Sequence, residues 1–254
     1  MHCISVALQI KEELLKNLIE IKIFKKIILV SPTKPNSHLI KKYKNKIEFR
    51  RDDEFYTRHE FDQLLINEKK NWYYQQFLKY KILEKIEFDY ALLIDGDSRI
   101  SKNIISIYQT SHLTVVNRKL IKQYNNFLKS FRIHESKFNF ITNEMLFQKE
   151  KFNDLLEYTK NQQNSKNWEL AIAKNINADS YFSEYQLYGS FIFSKYSNLK
   201  ISSIKSFRRF DLINAPIKNA LKYYDLVSLE NSHKSTLLKR VVVRLMYNLK
   251  MSIG

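Results

Sequence analysis

Residues 88 to 98 read Phe-Asp-Tyr-Ala-Leu-Leu-Ile-Asp-Gly-Asp-Ser, and the fold turns on them. Tyr90 to Ile94 form a continuous apolar run, too short for a free-standing helix, that ends abruptly in Asp95-Gly96-Asp97. This pattern predicts a buried strand delivering two carboxylates to its C-terminal edge. Two like charges flanking one glycine repel unless a cation lies between them, and such oxygen ligands suit Mg²⁺ or Mn²⁺ holding a diphosphate. Gly96 would let the backbone turn tightly beneath a ligand. The same three residues also make an ordinary strand-to-turn junction, which needs no ligand.

Upstream, Cys3 to Leu8 predicts a strand, and Leu14, Leu15, Leu18 and Ile19 repeat at helical spacing between Ile10 and Phe24. Lys26 to Val30 is the next apolar strand and stops in Ser31-Pro-Thr-Lys-Pro35, a loop held by two prolines. A short helix over Ser37 to Lys44 and a third strand over Lys46 to Arg50, ending in Arg51-Asp-Asp-Glu54, complete a βαβαβ order. The fold class is therefore α/β, a mostly parallel central sheet flanked by helices. Ligands of such sheets sit beyond the carboxyl ends of the strands, so Ser31, the Arg51 to Glu54 loop and Asp95 to Asp97 are expected at one crevice.

Asn71 to Lys85 predicts the helix leading into the central strand. Trp72, Gln75, Gln76, Lys79 and Leu83 share one of its faces, so two amides and an ammonium lie beside a tryptophan. That face suits a base, a sugar or a phosphate; a helix whose polar side chains simply reach solvent, with Trp72 at its rim, has the same spacing. Downstream, strands are expected at Thr110 to Val116, Phe138 to Thr142, Asp211 to Ala215 and Tyr224 to Leu229. Helices are expected at Lys119 to Phe131, Lys149 to Thr159 and Trp168 to Lys174, with Ser183 opening a further apolar segment.

The 254 residues, 44% hydrophobic, suffice for one sizeable α/β domain. A single cysteine, Cys3, excludes an internal disulfide and a cysteine zinc site and fits a reducing compartment. No apolar run of about 18 residues is present, and the opening Met-His-Cys-Ile-Ser-Val-Ala-Leu lacks a basic leader region, so a cytoplasmic protein is expected. Three glycines, at 96, 189 and 254, leave no room for a Walker loop or a dinucleotide GxGxxG turn. The net charge of +17, from 43 Lys and Arg against 26 Asp and Glu, is of the kind that attracts nucleic acid or an anionic membrane. Its lysines are spread along the chain among many Asn and Ile, as an AT-rich coding sequence alone produces, so nucleic acid is not expected as a partner.

Asn71-Trp-Tyr-Tyr-Gln-Gln-Phe-Leu-Lys79 followed by Tyr90-Ala-Leu-Leu-Ile-Asp-Gly-Asp97 resembles the Trp-x-x-Gln-Gln-x-x-Lys helix and DXD strand of poorly characterised bacterial GT-A-like glycosyltransferase families. Phe138-Asn-Phe-Ile-Thr-Asn-Glu-Met-Leu-Phe147 and Tyr181-Phe-Ser-Glu-Tyr-Gln-Leu-Tyr-Gly189 are similar to later segments of those families, so the resemblance spans roughly residues 20 to 235. It implies a GT-A-like, Rossmann-like catalytic domain over residues 1 to 233. It also implies a nucleotide-sugar donor such as a UDP-sugar, Mn²⁺ or Mg²⁺ on Asp95 and Asp97, and a cell-surface glycan acceptor: lipopolysaccharide, lipooligosaccharide or capsule. Trp72, Gln75, Gln76 and Lys79 become donor-binding candidates, and hexosyl transfer is the expected reaction. Many metal-dependent members recruit a histidine near the domain end, which makes His233 the candidate third metal ligand; a surface histidine in a polar turn reads the same way.

An inverting transferase needs a carboxylate to deprotonate the acceptor hydroxyl while metal and cationic groups stabilise the leaving diphosphate. Glu184, among Tyr181, Phe182, Tyr185 and Tyr188, is the candidate base, with Glu144 and Asp179 behind it; Ser183-Glu184 also matches a helix cap. Two other classes fit parts of the pattern: a non-catalytic glycan- or nucleotide-binding relative, and a basic nucleic-acid-binding protein. Residues 234 to 254 carry five Lys or Arg and no acid, and Leu238, Val241, Val242, Leu245, Met246 and Leu249 form one helical stripe. This basic amphipathic C-terminal helix is expected either to pack on the domain or to lie on an anionic membrane surface holding a lipid-linked glycan, which would make the protein peripheral on the inner face of the membrane.

Overall fold

The computed structural model describes residues 1–7, 10–35, 37–65, 69–207 and 217–229. His233, the strand expected at Asp211 to Ala215 and the basic tail from 234 onward lie outside them. The architecture is the GT-A-like α/β fold. The first half runs β1 (His2–Val6), α1 (Glu12–Glu20), β2 (Lys26–Val30), α2 (His38–Lys42), β3 (Ile47–Arg50), α3 (Arg58–Leu64), α4 (Lys70–Lys85) and β4 (Tyr90–Asp95). After it come β5 (Ser98–Ile100), α5 (Asn103–Thr110), β6 (Leu113–Val115), α6 (Lys122–Ser130), β7 (Glu144–Gln148), α7 (Lys149–Gln162), α8 (Trp168–Ala173) and α9 (Glu184–Lys195). The described chain closes with β8 (Ile201–Ser203), β9 (Ser206–Phe207), α10 (Ile217–Ala220) and β10 (Leu226–Ser228).

The main sheet has the order β3-β2-β1-β4-β7, with the first four strands parallel and β7 antiparallel to β4. Alternate residues of each strand enter two cores. Ile4, Val6, Ile28, Val30, Ala91 and Leu93 pack with α4, α7, α8 and α9, while Cys3, Ile27, Leu29, Leu92 and Ile94 pack with α1, α2 and α5. Burial on both faces explains why these strands read as unbroken apolar runs. In α1, Leu14, Leu15 and Leu18 are fully buried, each contributing about 1.5–3 kcal/mol. Helix α4 is tied down at its C-terminus by Lys149, whose ammonium donates to the carbonyls of Leu83, Glu84 and Ile86 at 2.8, 2.9 and 2.8 Å.

Two expectations are corrected. The strand expected at Phe138 to Thr142 begins six residues later, at Glu144. The Gln186 side chain takes up the backbone that a ladder would have used, accepting from Phe140 N at 2.9 Å and donating to Phe138 O at 3.2 Å, and Asn143 turns the chain with φ 69°. Thr110, expected to open a strand, instead ends α5, and the strand starts at Leu113. Gly96 lies in the expected turn, and it is close packing against β1 that calls for glycine there. No described glycine has positive φ; a Cβ at Gly96 would lie 2.1 Å from Ala7 Cβ and 2.9 Å from Val6 O, so glycine is needed where the strand end crosses β1.

Candidate active site

Strand β4 carries Asp95 to the C-terminal edge of the sheet, α4 brings Trp72, Gln75, Gln76 and Lys79 alongside, and the start of α9 adds Glu184. With Asp97, these line one cleft of about 600 Å³, closed on its other side by Tyr124, Asn143, Tyr181 and Tyr185. Every donor-binding candidate on α4 thus faces the same space as the Asp-Gly-Asp turn. A smaller pocket of about 170 Å³, lined by Pro32, Asp52, Arg58, Asn71, Tyr74 and Gln75, adjoins it through Gln75. The expected single crevice is therefore two pockets that share a side chain.

Lys79 is the hub. Its side chain is 5% exposed, and its ammonium bridges the Asp95 carboxylate and Glu184 Oε1, the latter at 2.6 Å. Tyr185 Oη donates to Asp95 Oδ1 at 2.8 Å, and Lys79 lies 4.8 Å from the Tyr185 ring. The Gln76 amide, turned nitrogen-inward, donates to both oxygens of Glu184. Burial works against a charged Lys79, yet Asp95 and Glu184 hold it above the usual lysine range. Burial pushes the Glu184 carboxyl up, Lys79 pulls against it, and Asp95 adds to the rise. Glu184 is the first residue of α9, capped by Ser183, and Tyr80 Oη holds its carbonyl at 2.8 Å. The cap and the cleft position are both real, because the first turn of a helix is where a carboxylate is stabilised and also where it can point outward.

Asp97 lies past the turn, 3.4 Å from Ser98 Oγ and 3.5 Å from Ser228 Oγ, and its carbonyl accepts from Leu229 N at 2.9 Å. Beneath it Arg99 is 1% exposed, donates to Ser98 O at 2.8 Å, and has been pushed down to about 10 by burial, against Glu13 and Asp97. Among the described residues no group of three or more His, Cys, Asp or Glu is placed to hold a metal. Two carboxylates nonetheless fit Mg²⁺ or Mn²⁺, which are commonly held by one or two carboxylates plus substrate phosphates and water. The charges agree. Asp95, Asp97 and Glu184 bring three negative charges to the cleft and Lys79 and Lys69 return two, so the cleft keeps a net negative charge and a diphosphate would enter unfavourably without a further cation.

The other candidate bases sit elsewhere. Asp179 is exposed in a turn that Asn126 holds by the Asp179 carbonyl, and it is not in the cleft. Glu144 is buried, bonded by Tyr108 and by Thr114 Oγ1 at 3.1 Å, and burial pushes its carboxyl up to about 7. Because its folded value lies above the ordinary 4.5, the fold is favoured while Glu144 is protonated, and on the order of 3 kcal/mol is lost as pH rises through about 7. Glu144→Gln is expected to flatten that dependence, read as urea midpoints at pH 5 and pH 8; an unchanged slope would assign it to another group.

Sequence reasoning missed Lys69, whose ammonium lies 3.6 Å from the Tyr181 ring at the rim, and the Tyr185–Asp95 hydrogen bond. Neither leaves a local signal, since each joins distant segments. Arg99, in the short strand Ser98-Arg99-Ile100, leaves no apolar pattern that would mark it as buried.

No protein-family model matches this chain, and no curated protein matches its sequence. Solved structures do. The galactosyltransferase LgtC in complex with donor and acceptor sugar analogues matches at TM-score 0.53 and 8% identity, over 97% of this chain and 96% of that one. Mouse xyloside xylosyltransferase 1, apo form, matches at 0.49 and 13% identity, over 92% of this chain and 99% of that one. Glucosyl-3-phosphoglycerate synthase from Mycobacterium tuberculosis, in complex with Mn²⁺, UDP and phosphoglyceric acid, matches at 0.41 and 12% identity, over 80% of this chain and 66% of that one. At 8% identity the likeness to LgtC is one of fold.

Proposed function

We propose that this protein is a glycosyltransferase that moves a sugar, a hexose in the simplest case, from a nucleotide-diphosphate donor such as a UDP-sugar to a hydroxyl of a cell-surface glycan. One observation carries the reading: Lys79 holds Asp95 and Glu184 together beside Asp97, in a cleft at the C-terminal edge of a GT-A-like sheet. The smaller pocket at Asp52, Arg58 and Tyr74 suits the nucleoside, and Gln75 and Gln76 suit the sugar hydroxyls. Asp95 and Asp97, with His233 as the proposed third ligand, would hold Mn²⁺ or Mg²⁺, which when bound neutralises the diphosphate. The acceptor oxygen bonds to the anomeric carbon as the bond from that carbon to the phosphate oxygen breaks. Glu184 takes the hydroxyl proton, and its burial favours that step by raising its proton affinity. Lipopolysaccharide, lipooligosaccharide and capsule chains, free or lipid-linked, are acceptors of the right chemistry.

Glu184→Gln keeps the size and removes the basicity, so turnover should fall by about 10²–10⁴-fold with donor affinity little changed. The assay is release of nucleoside diphosphate from a panel of nucleotide sugars in Mn²⁺, with donor binding followed by calorimetry. Wild-type rates in Glu184→Gln exclude it as the base. Failure of every nucleotide sugar and of UDP to bind the wild-type chain would sink the transferase reading itself.

A further inference from the structure

The parallel strands start at the edge opposite the cleft, and that edge carries a different chemistry. Lys25 N donates to Met1 O at 3.0 Å, Ile27 N donates to Lys46 O at 2.8 Å, and Tyr90 pairs with Gln148, so the segments entering the four parallel strands meet there with the end of β7. Ile23 and Tyr90, 42% and 47% exposed, project from it and share with Met1, Ile105 and Leu146 an apolar groove of about 550 Å³. Lys200 lines this groove, Lys22 and Lys25 flank Ile23 in the turn into β2, and Lys41 and Lys44 lie on α2 and in the turn into β3 at the same edge. Lys22, Lys25, Lys41, Lys44 and Lys200 are exposed, and none forms an ion pair with a described carboxylate. Lys26 is neutralised by Glu48, and the acids entering β4, Glu87 and Asp89, are fewer than the lysines. At about 4.8 Å per strand the five-stranded sheet makes this basic face roughly 20 Å across.

We propose that this edge docks the protein on an anionic phospholipid bilayer, with Ile23 and Tyr90 entering the headgroup region and the lysines facing lipid phosphates. Apolar and aromatic tips on an edge that also carries exposed lysines are the composition of interfacial anchors. A nucleic-acid backbone would satisfy the lysines and leave Ile23 and the groove without a partner. The proposal does not rest on the transferase reading. It places the cleft on the aqueous side, a strand length of about 17 Å from the docking edge.

The test is co-sedimentation of the full chain with vesicles of phosphatidylcholine alone and of phosphatidylcholine mixed with phosphatidylglycerol. Binding is expected only to the mixed vesicles. The double variant Lys22→Ser/Lys25→Ser should lower the partition coefficient about 30-fold, two basic side chains near the surface being worth that much. Ile23→Ser/Tyr90→Ser should weaken binding at high salt most, where the apolar part dominates, and its circular dichroism should match wild type because both side chains are exposed. No binding by the wild-type chain overturns the proposal. So does wild-type binding by both edge variants, with loss in Leu245→Asp assigning the docking to the tail instead. Capture of duplex oligonucleotide in place of vesicles, lost in the lysine variant, overturns it in favour of nucleic acid.

Discussion

Lys79→Met is expected to lose both the fold's margin and the activity. Its ammonium is buried between two carboxylates, so its removal leaves Asp95 and Glu184 facing each other uncompensated. Breaking a buried pair in this way costs about 3–5 kcal/mol. The sign with pH follows from the carboxyls: without Lys79, protonation relieves the repulsion, so the destabilisation should be small near pH 5 and grow toward pH 8. Turnover should drop by about 10³-fold or more even at pH 5, because a protonated Glu184 accepts nothing. Lys79→Arg should recover much of the stability while the planar guanidinium mispositions both carboxylates. Urea midpoints across pH, taken with turnover, check this; a pH-independent loss below about 1 kcal/mol would mean that the bridge carries little.

Asp97→Asn should abolish metal-dependent turnover while leaving the fold close to wild type. The side chain keeps its shape and changes only its charge, and the Leu229 N bond goes to the backbone carbonyl, which the substitution leaves in place. A loss of about 10³-fold or more in turnover is expected, with the Mn²⁺ concentration at half-saturation raised and thermal stability lowered by about 1 kcal/mol through the lost attraction to the buried Arg99. Asp95→Asn should be different: it breaks the Lys79 bridge and the Tyr185 bond as well, so both stability and turnover should fall. Manganese titration with nucleotide binding by calorimetry separates the two. Unchanged metal-dependent nucleotide binding in both variants would remove the Asp-Gly-Asp turn from any metal role.

The sheet was legible because its signals are local. Ile27 to Val30 and Ala91 to Ile94 are buried on both faces, so period and composition alone mark them, and the shared face of Trp72, Gln75, Gln76 and Lys79 follows from 3.6 residues per turn. Helix α3, which sequence reasoning left unassigned, has only Phe61 buried along its length and so carries little periodicity to read.

What only the tertiary structure decided is which groups meet. The strand expected at Phe138 moved to Glu144 because a glutamine on a helix 46 residues away took the backbone's hydrogen bond. Glycine at 96 and glycine at 189 answer to Ala7 and Phe140, which no local pattern connects to them. By itself the sequence determined an α/β chain with Asp95 and Asp97 at a strand end and an amide-and-ammonium helix nearby. That Lys79 faces both Asp95 and Glu184, 16 and 105 residues away, and that lysines scattered along the chain gather at one edge, depends on how α4 and α9 pack over the sheet. Periodicity places a side chain on a face; only packing gives that face a partner.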